Sequence, residues 1–414
     1  MPFTSPDVPS RWRDVYVAAA ARAVPSFGTY LAITTLVLVL QPVSGFAVSG
    51  LILASAVPVV VLAPVAGRLA DRTDSRKLLV VVGTAQSGTA LALVFASDAM
   101  AIIALMAVLG SGQAVTNPTL AALTPSMVRR EDLPRASAVN QTANMIGMLV
   151  GPAAGGVLVG AYGARVPLLL HAASLLAIVV GALLVRTRRG GVVVTGPVPA
   201  DGDGPSIPPA WRLWDDSLLR ATVVSLGAVI AVVGAMNVVD VFLVRGTLGA
   251  SEATYGLLEA IWTLGTLVGT WLLARLAGRA HDDGVLVYGL LATLAVMCAT
   301  LPAAATVTTA MWLVPLWIVG GAGNGGLNVY ANVLLARRVP EPVRGRAYAT
   351  VGATVHGAGL AGYAAGGLLV EALPIRPLVA VLGAAGLTVV GLLVHPAVRT
   401  VRRERRVTAA SVRA

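Results

Sequence analysis

The feature that most constrains this chain is a series of uninterrupted apolar runs, separated by short polar or charged turns. Crossing a bilayer core takes about 17–25 apolar residues in a helix. Twelve such runs can be marked, at roughly 15–40, 45–66, 78–97, 99–125, 138–161, 166–185, 221–244, 253–274, 284–303, 307–334, 347–370 and 377–397. So many cannot be buried in one water-soluble core. The composition agrees: 57% of residues are apolar and 12% charged, against about 45–50% and about 25% in soluble domains. Strands of an outer-membrane barrel alternate apolar and polar residues, and these runs do not. In lipid each backbone group must be bonded within its own segment, so the runs are expected to be helices. The expected fold is an all-α polytopic membrane protein of twelve transmembrane helices in two six-helix bundles.

The formal charge of +11 is explained by its placement. Of the 30 Lys and Arg residues, 26 fall in alternate turns and at the two ends of the chain; Arg165, Arg245 and Arg376 lie in the others, and Arg22 within the first run. By the positive-inside rule both termini and the long central segment are expected in the cytoplasm of a cell (plasma) membrane protein. The charge is thus a topology signal, and nucleic acid is not an expected partner. Residues 1–14 are polar and the first run is too long for a cleavable leader, so it is expected to be a retained span. The single cysteine, Cys298, excludes an internal disulfide.

Shifted by 211 residues, the chain matches itself in three separated regions. Gly67-Arg68-x-x-Asp71 falls on Gly278-Arg279-x-x-Asp282; Gly110, Gly112 and Asn117 fall on Gly321, Gly323 and Asn328; and 11 of 25 positions agree between 135–159 and 346–370. The expected organisation is an N-terminal bundle over 1–185, a cytoplasmic linker over 186–220 rich in Gly, Pro and Asp, and a C-terminal bundle with a basic tail over 221–414. Paired repeats around a midplane site are the architecture of secondary transporters.

The turn after the second run reads Gly67-Arg68-Leu69-Ala70-Asp71-Arg72-Thr73-Asp74-Ser75-Arg76-Lys77. It resembles the signature between helices two and three of the major facilitator superfamily, departing at Asp74, where that family usually has glycine. The fifth run carries Gly147-x-x-x-Gly151-Pro152-x-x-Gly155-Gly156, similar to the "antiporter" signature of the family's twelve-span drug/multidrug exporter-like branch. Leu123-Thr124-Pro125 with Glu131-Asp132-Leu133-Pro134-Arg135-Ala136 also resembles that branch. The resemblance implies alternating access, export and proton antiport. The branch usually carries an arginine in span four, where Met106 stands here, and an acid after Ser-x-x-Gly in span one, where Thr29 follows Gly28. The resemblance therefore leaves any proton coupling to the second half.

Read physically, Gly67, Asp71, Arg72, Arg76 and Lys77 place both charge signs on a short turn near several helix ends. Such a cluster can lock one conformation and release it in another; its other reading is topology alone. Gly147, Gly151, Pro152, Gly155 and Gly156 lie on one helix face and permit close helix approach, with a bend at the proline. Ionisable groups within the runs are few and costly there: Arg22, His171, Asp240, Glu259 and His356. Glu259 continues a polar stripe of Tyr255, Thr263, Thr266 and Thr270, and Asp240 lies near the end of its span beside Asn237. Either carboxylate can titrate in transport; Asp240 alternatively pairs at the surface with Arg245, and Arg22 alternatively snorkels inward. His171 and His356 read as packing residues. Asn324, Asn328 and Asn332 in span ten, Gln113 and Asn117 in span four, and Asn140 and Asn144 in span five line a cavity or bond neighbouring helices. Trp262 and Trp317 offer an aromatic wall. No metal-ligand, nucleotide or nucleophile pattern stands out, so neither a cofactor nor an enzyme is expected. The expectation is a monomeric secondary transporter in the lipid bilayer, moving small apolar or amphipathic solutes outward against protons. The alternatives are uptake or exchange of a neutral metabolite or lipid-like solute, and a non-transporting receptor or enzyme on the same fold.

Overall fold

The computed structural model describes residues 10–187, 213–280 and 282–411. Most of the linker, with Arg188, Arg189, Trp211 and Arg212, and Arg413 of the tail lie outside the described residues. Among the described residues there are twelve long helices and no strand. In chain order they are α1 Trp12–Leu40, α2 Gly45–Arg72, α3 Ser75–Phe95, α4 Ala99–Met127, α5 Leu133–Tyr162, α6 Arg165–Leu184, α7 Ser217–Val241, α8 Glu252–Gly278, α9 Asp283–Thr306, α10 Leu313–Arg338, α11 Arg344–Ala372 and α12 Ile375–Ser411. A π-helical turn, Phe242–Thr247, prolongs α7. Eleven of the helices are long and apolar enough to cross a bilayer.

The twelfth expected span, α10, is a helix of 26 residues that falls short on hydropathy. The cause is its own sequence: Gly320, Gly321, Gly323, Gly325 and Gly326 interleave with Asn324, Asn328 and Asn332. Those glycines let α8 approach closely. A Cβ at Gly321 or Gly325 would run into the carbonyl oxygens of Trp262 or Thr266, and one at Gly265 into that of Ile318.

Helix starts follow side-chain capping, which satisfies amide donors that have no intrahelical partner. Ser44 accepts from the Ala47 amide at 3.0 Å, Asp74 from Lys77 at 3.0 Å, Asp98 from Ala101 at 3.0 Å and Asp282 from Val285 at 2.9 Å. The departure from glycine at Asp74 therefore begins α3. Between α5 and α6 the chain turns at Gly163, whose φ of 71° suits a residue without Cβ.

By contacts the chain divides into Met1–Gly196 with Ala250–Ala260, and Pro197–Gly249 with Ile261–Ala414. In the first unit α1 packs along α5 and α6, α2 along α4, and α3 along α6 and α4. The first turns of α8 belong to this unit because Gly156 and Gly256 face each other with no side chain between them. In the second unit α7 packs along α11 and α12, and α9 along α12 and α10. Adding six to the helix numbers of four pairings in the first set reproduces this second set, and the fifth, α2 with α4, corresponds to the close approach of α8 and α10.

The packing seams repeat too. A Cβ at Gly147 would sit 2.7 Å from the Phe27 amide nitrogen, and one at Gly151 2.8 Å from the Phe27 carbonyl oxygen. At Gly155 the obstacle is the Leu31 carbonyl, at 2.9 Å. The corresponding Gly362 and Gly366 of α11 press on the carbonyls of Ala231 and Ala235 of α7. Large apolar side chains such as Val61, Val81 and Leu392 point away from protein, as helices facing hydrocarbon require.

Candidate substrate cavity and charged helix ends

The first unit lines a partly open cavity of about 260 Å³ at the middle of its helices. Its lining is made by face repeats. Arg22, Pro25, Ser26 and Thr29 share one face of α1, and Gln113, Thr116, Asn117 and Leu120 share one face of α4. Asn144 of α5 and Gln86 of α3 complete the polar part, with Leu175 and Ile178 of α6 as apolar walls. Pro25 contributes by having no amide hydrogen, so the carbonyl of Ala21 loses its helical donor beside the cavity.

Hydrogen bonds fix these groups. Ser26 Oγ donates to Asn144 Oδ1 at 2.6 Å, and Gln113 Nε2 to Thr29 Oγ1 at 3.5 Å. Gln86 is held twice, donating to the Leu109 carbonyl at 3.3 Å and accepting from Thr116 Oγ1 at 3.2 Å. The Arg22 guanidinium donates to the Asn117 carbonyl at 3.1 Å. Ten residues separate Arg22 from the start of α1, and ten separate Asn117 from the end of α4, each about 15 Å of helix. The arginine therefore bonds at its own depth, inside the bundle. Asn140 is buried and donates to Thr124 Oγ1 at 3.4 Å, outside this lining.

Residues of the second half are arranged differently. Asn328 donates to the Asn324 carbonyl at 2.9 Å and Asn332 to the Asn328 carbonyl at 2.7 Å, so both amides turn back on their own helix. Asp240 is 4% exposed, which removes it from the surface. Its neighbour Asn237 hydrogen-bonds Tyr363 of α11. Glu259 is half-buried and lies in the part of α8 that belongs to the first unit. Trp317 is 3% exposed and meets Trp262 edge-on at 6.2 Å between ring centres, so this pair packs as core. His171 is buried beside Gly28, and His356 bonds the Gly352 carbonyl of its own helix at 2.7 Å.

The charged turn between α2 and α3 divides in two. Arg76 reaches the end of α6, donating to the carbonyls of Ala182 at 3.0 Å, Leu183 at 2.8 Å and Val185 at 3.1 Å. Those carbonyls have no intrahelical donor, and a cation there also meets the negative end of the helix dipole. Asp71, Arg72 and Lys77 are exposed on the turn, and a Cβ at Gly67 would meet nothing.

Three anchors were not foreseen from the sequence. Asp14, 3% exposed, accepts from the Thr187 amide at 2.9 Å and hydroxyl at 2.7 Å, tying the segment after α6 to the start of α1. Arg338 at the end of α10 bonds Asp216 at 3.0 Å and Asp283 at 2.8 Å, joining the starts of α7 and α9. Arg376 donates to the carbonyls of Ala305 at 2.9 Å and Val307 at 2.7 Å. Each joins residues more than fifty positions apart, and nothing local in the sequence marks such pairs.

Comparison with known proteins agrees with this architecture. Residues 5–412 match a family model described as transmembrane secretion effector. The chain is 23% identical over 363 residues to the uncharacterized MFS-type transporter YfiS of Bacillus subtilis (strain 168), covering 85% of each. Among solved structures, the nucleoside transporter NupG superposes with a TM-score of 0.73 at 11% identity, covering 92% of this chain and 99% of that one. A bacterial homologue of the iron transporter ferroportin gives 0.71 at 18% identity, covering 94% and 99%. A POT family transporter in complex with 5-aminolevulinic acid gives 0.72 at 12% identity, covering 95% and 98%. At these identities the structural likeness speaks for the fold.

Proposed function

Since the chain belongs to the transmembrane secretion effector family of major facilitator transporters, we propose that it exports small apolar or amphipathic compounds from the cell by alternating access, driven by proton entry. Alternating access opens the solute site to each side of the plasma membrane in turn, with both termini in the cytoplasm. The observation that carries this reading is the polar cavity of about 260 Å³ inside otherwise apolar helices. Polar groups in mid-membrane are costly and face a solute path or a partner. Arg22, Gln113, Asn117 and Asn144 bind solute in this proposal. Glu259 and the buried Asp240 are the proton-carrying candidates, and Asp71, Arg72 and Lys77 act at the gate between states. The glycine seam of α5 lets the helices slide as the site opens.

Transport of a compound panel into sealed inverted vesicles, with and without an imposed pH gradient, tests the proposal. Gradient-dependent accumulation is expected, and Glu259→Gln should flatten its pH dependence. Unaltered pH dependence removes Glu259 from the mechanism. The amide-rich lining favours a second reading, exchange of a neutral polar solute, which predicts flux independent of the gradient.

A further inference from the structure

The cavity of the first unit is unbalanced in charge. Arg22 lines it, yet none of the residues around it is acidic. The guanidinium has five N–H donors, and its hydrogen bond among the described residues goes to one backbone carbonyl. Asp14, the buried carboxylate of the same helix, is held by Thr187 and lies eight residues earlier, about 12 Å along the axis. Partly exposed to the cavity and with this one neutral acceptor among the described residues, the cation keeps N–H donors free for a ligand.

Two of the neutral groups lean the same way, while Gln113 keeps its amide oxygen as an acceptor. Asn144 spends its carbonyl oxygen on Ser26, which leaves its two N–H donors for the cavity. Thr29 accepts from Gln113, so its hydroxyl hydrogen remains to be given. Gln86, whose oxygen could have served a donor ligand, is bonded at both ends of its amide. The site offers positive charge and N–H and O–H donors, with Leu175 and Ile178 as an apolar wall.

We infer that this cavity selects amphipathic organic anions, with a carboxylate or similar planar acceptor on Arg22 and Asn144 and the apolar body against α6. Arginine is suited to such a group because its planar fork can give two parallel hydrogen bonds to one carboxylate. The assignment rests on the cavity being the solute site proposed above, and names the solute class.

Binding to the full-length purified protein tests it with three probes of one shape: naphthalene-2-carboxylate, naphthalene-2-carboxamide and 2-naphthylmethylammonium. Titration calorimetry should show the carboxylate binding at least tenfold tighter than the amide, and the ammonium weakest. Equal binding of carboxylate and amide, tighter binding of the ammonium, or no binding of any probe overturns the assignment. Arg22→Gln should abolish the carboxylate preference, and Arg22→Lys should keep its direction with a smaller ratio. A preference that survives Arg22→Gln in a variant of unchanged melting temperature also overturns it. If Arg22→Gln fails to fold, the wild-type series still decides. Flux of the same probes in proteoliposomes separates this inference from the export reading. Selective binding without movement refutes export and leaves the anion site standing, whereas movement without charge preference does the reverse.

Discussion

Arg76 shows how a residue can belong to a signature and still have a local task. Its three hydrogen bonds close the end of α6, and hydrogen bonds to charged groups contribute about 1.5–3 kcal/mol each when well buried. Since Arg76 is half-exposed, Arg76→Ala should cost about 1–2 kcal/mol in total, read as a lower melting temperature of the solubilised protein. Arg72→Ala, on the exposed part of the same turn, should leave melting unchanged and alter transport rate. If the two variants behave alike, the division of the turn into anchor and gate is wrong. Arg338→Met is the corresponding test in the second unit. It leaves Asp216 and Asp283 facing each other without their shared cation, at a cost of about 1–3 kcal/mol. The charges of the first turn were legible in the sequence as a cluster. Their partners were not, because the end of α6 lies more than a hundred residues away and only folding brings it near.

Among the helices, the glycine seams make the sharpest forecast. Gly151→Leu must push α5 off the backbone of α1 at Phe27, and Gly362→Leu must push α11 off α7 at Ala231. Overpacking of this kind costs about 1–3 kcal/mol. Both variants should show comparable loss of melting temperature, whereas leucine at Gly67, where a Cβ meets nothing, should be silent. Helix positions could be read from the apolar runs because lipid leaves a spanning segment no other backbone solution. Two features escaped that logic. The backbone of α12 continues to Ser411, past the apolar run that ends near 397, because arginine, glutamate and alanine favour helix without favouring hydrocarbon. In α10, spacing correctly placed Asn324, Asn328 and Asn332 on one stripe but could not foretell that their amides would bond their own helix. Removal of one such amide, Asn332→Ala, should therefore cost under about 1 kcal/mol.

For the molecule as a whole, the repeat seen at an offset of 211 residues reappears as matching helix pairings in each unit. The cavity was legible only in part: Arg22, Gln113, Asn117 and Asn144 stood out as polar positions in apolar runs, while Gln86 and Thr116 did not. Orientation in the membrane can be checked with single cysteines in consecutive turns. Ser97→Cys, between α3 and α4, should react with an impermeant maleimide in intact cells, and Glu131→Cys, between α4 and α5, only after permeabilisation; the reverse order would invert the proposed topology. The native thiol will not interfere. Cys298 is 1% exposed and fills a notch against Gly386 of α12. Nature has in effect supplied a blank background, on which pairs of spin labels can test the proposed opening and closing with the protein's own sulfur left in place.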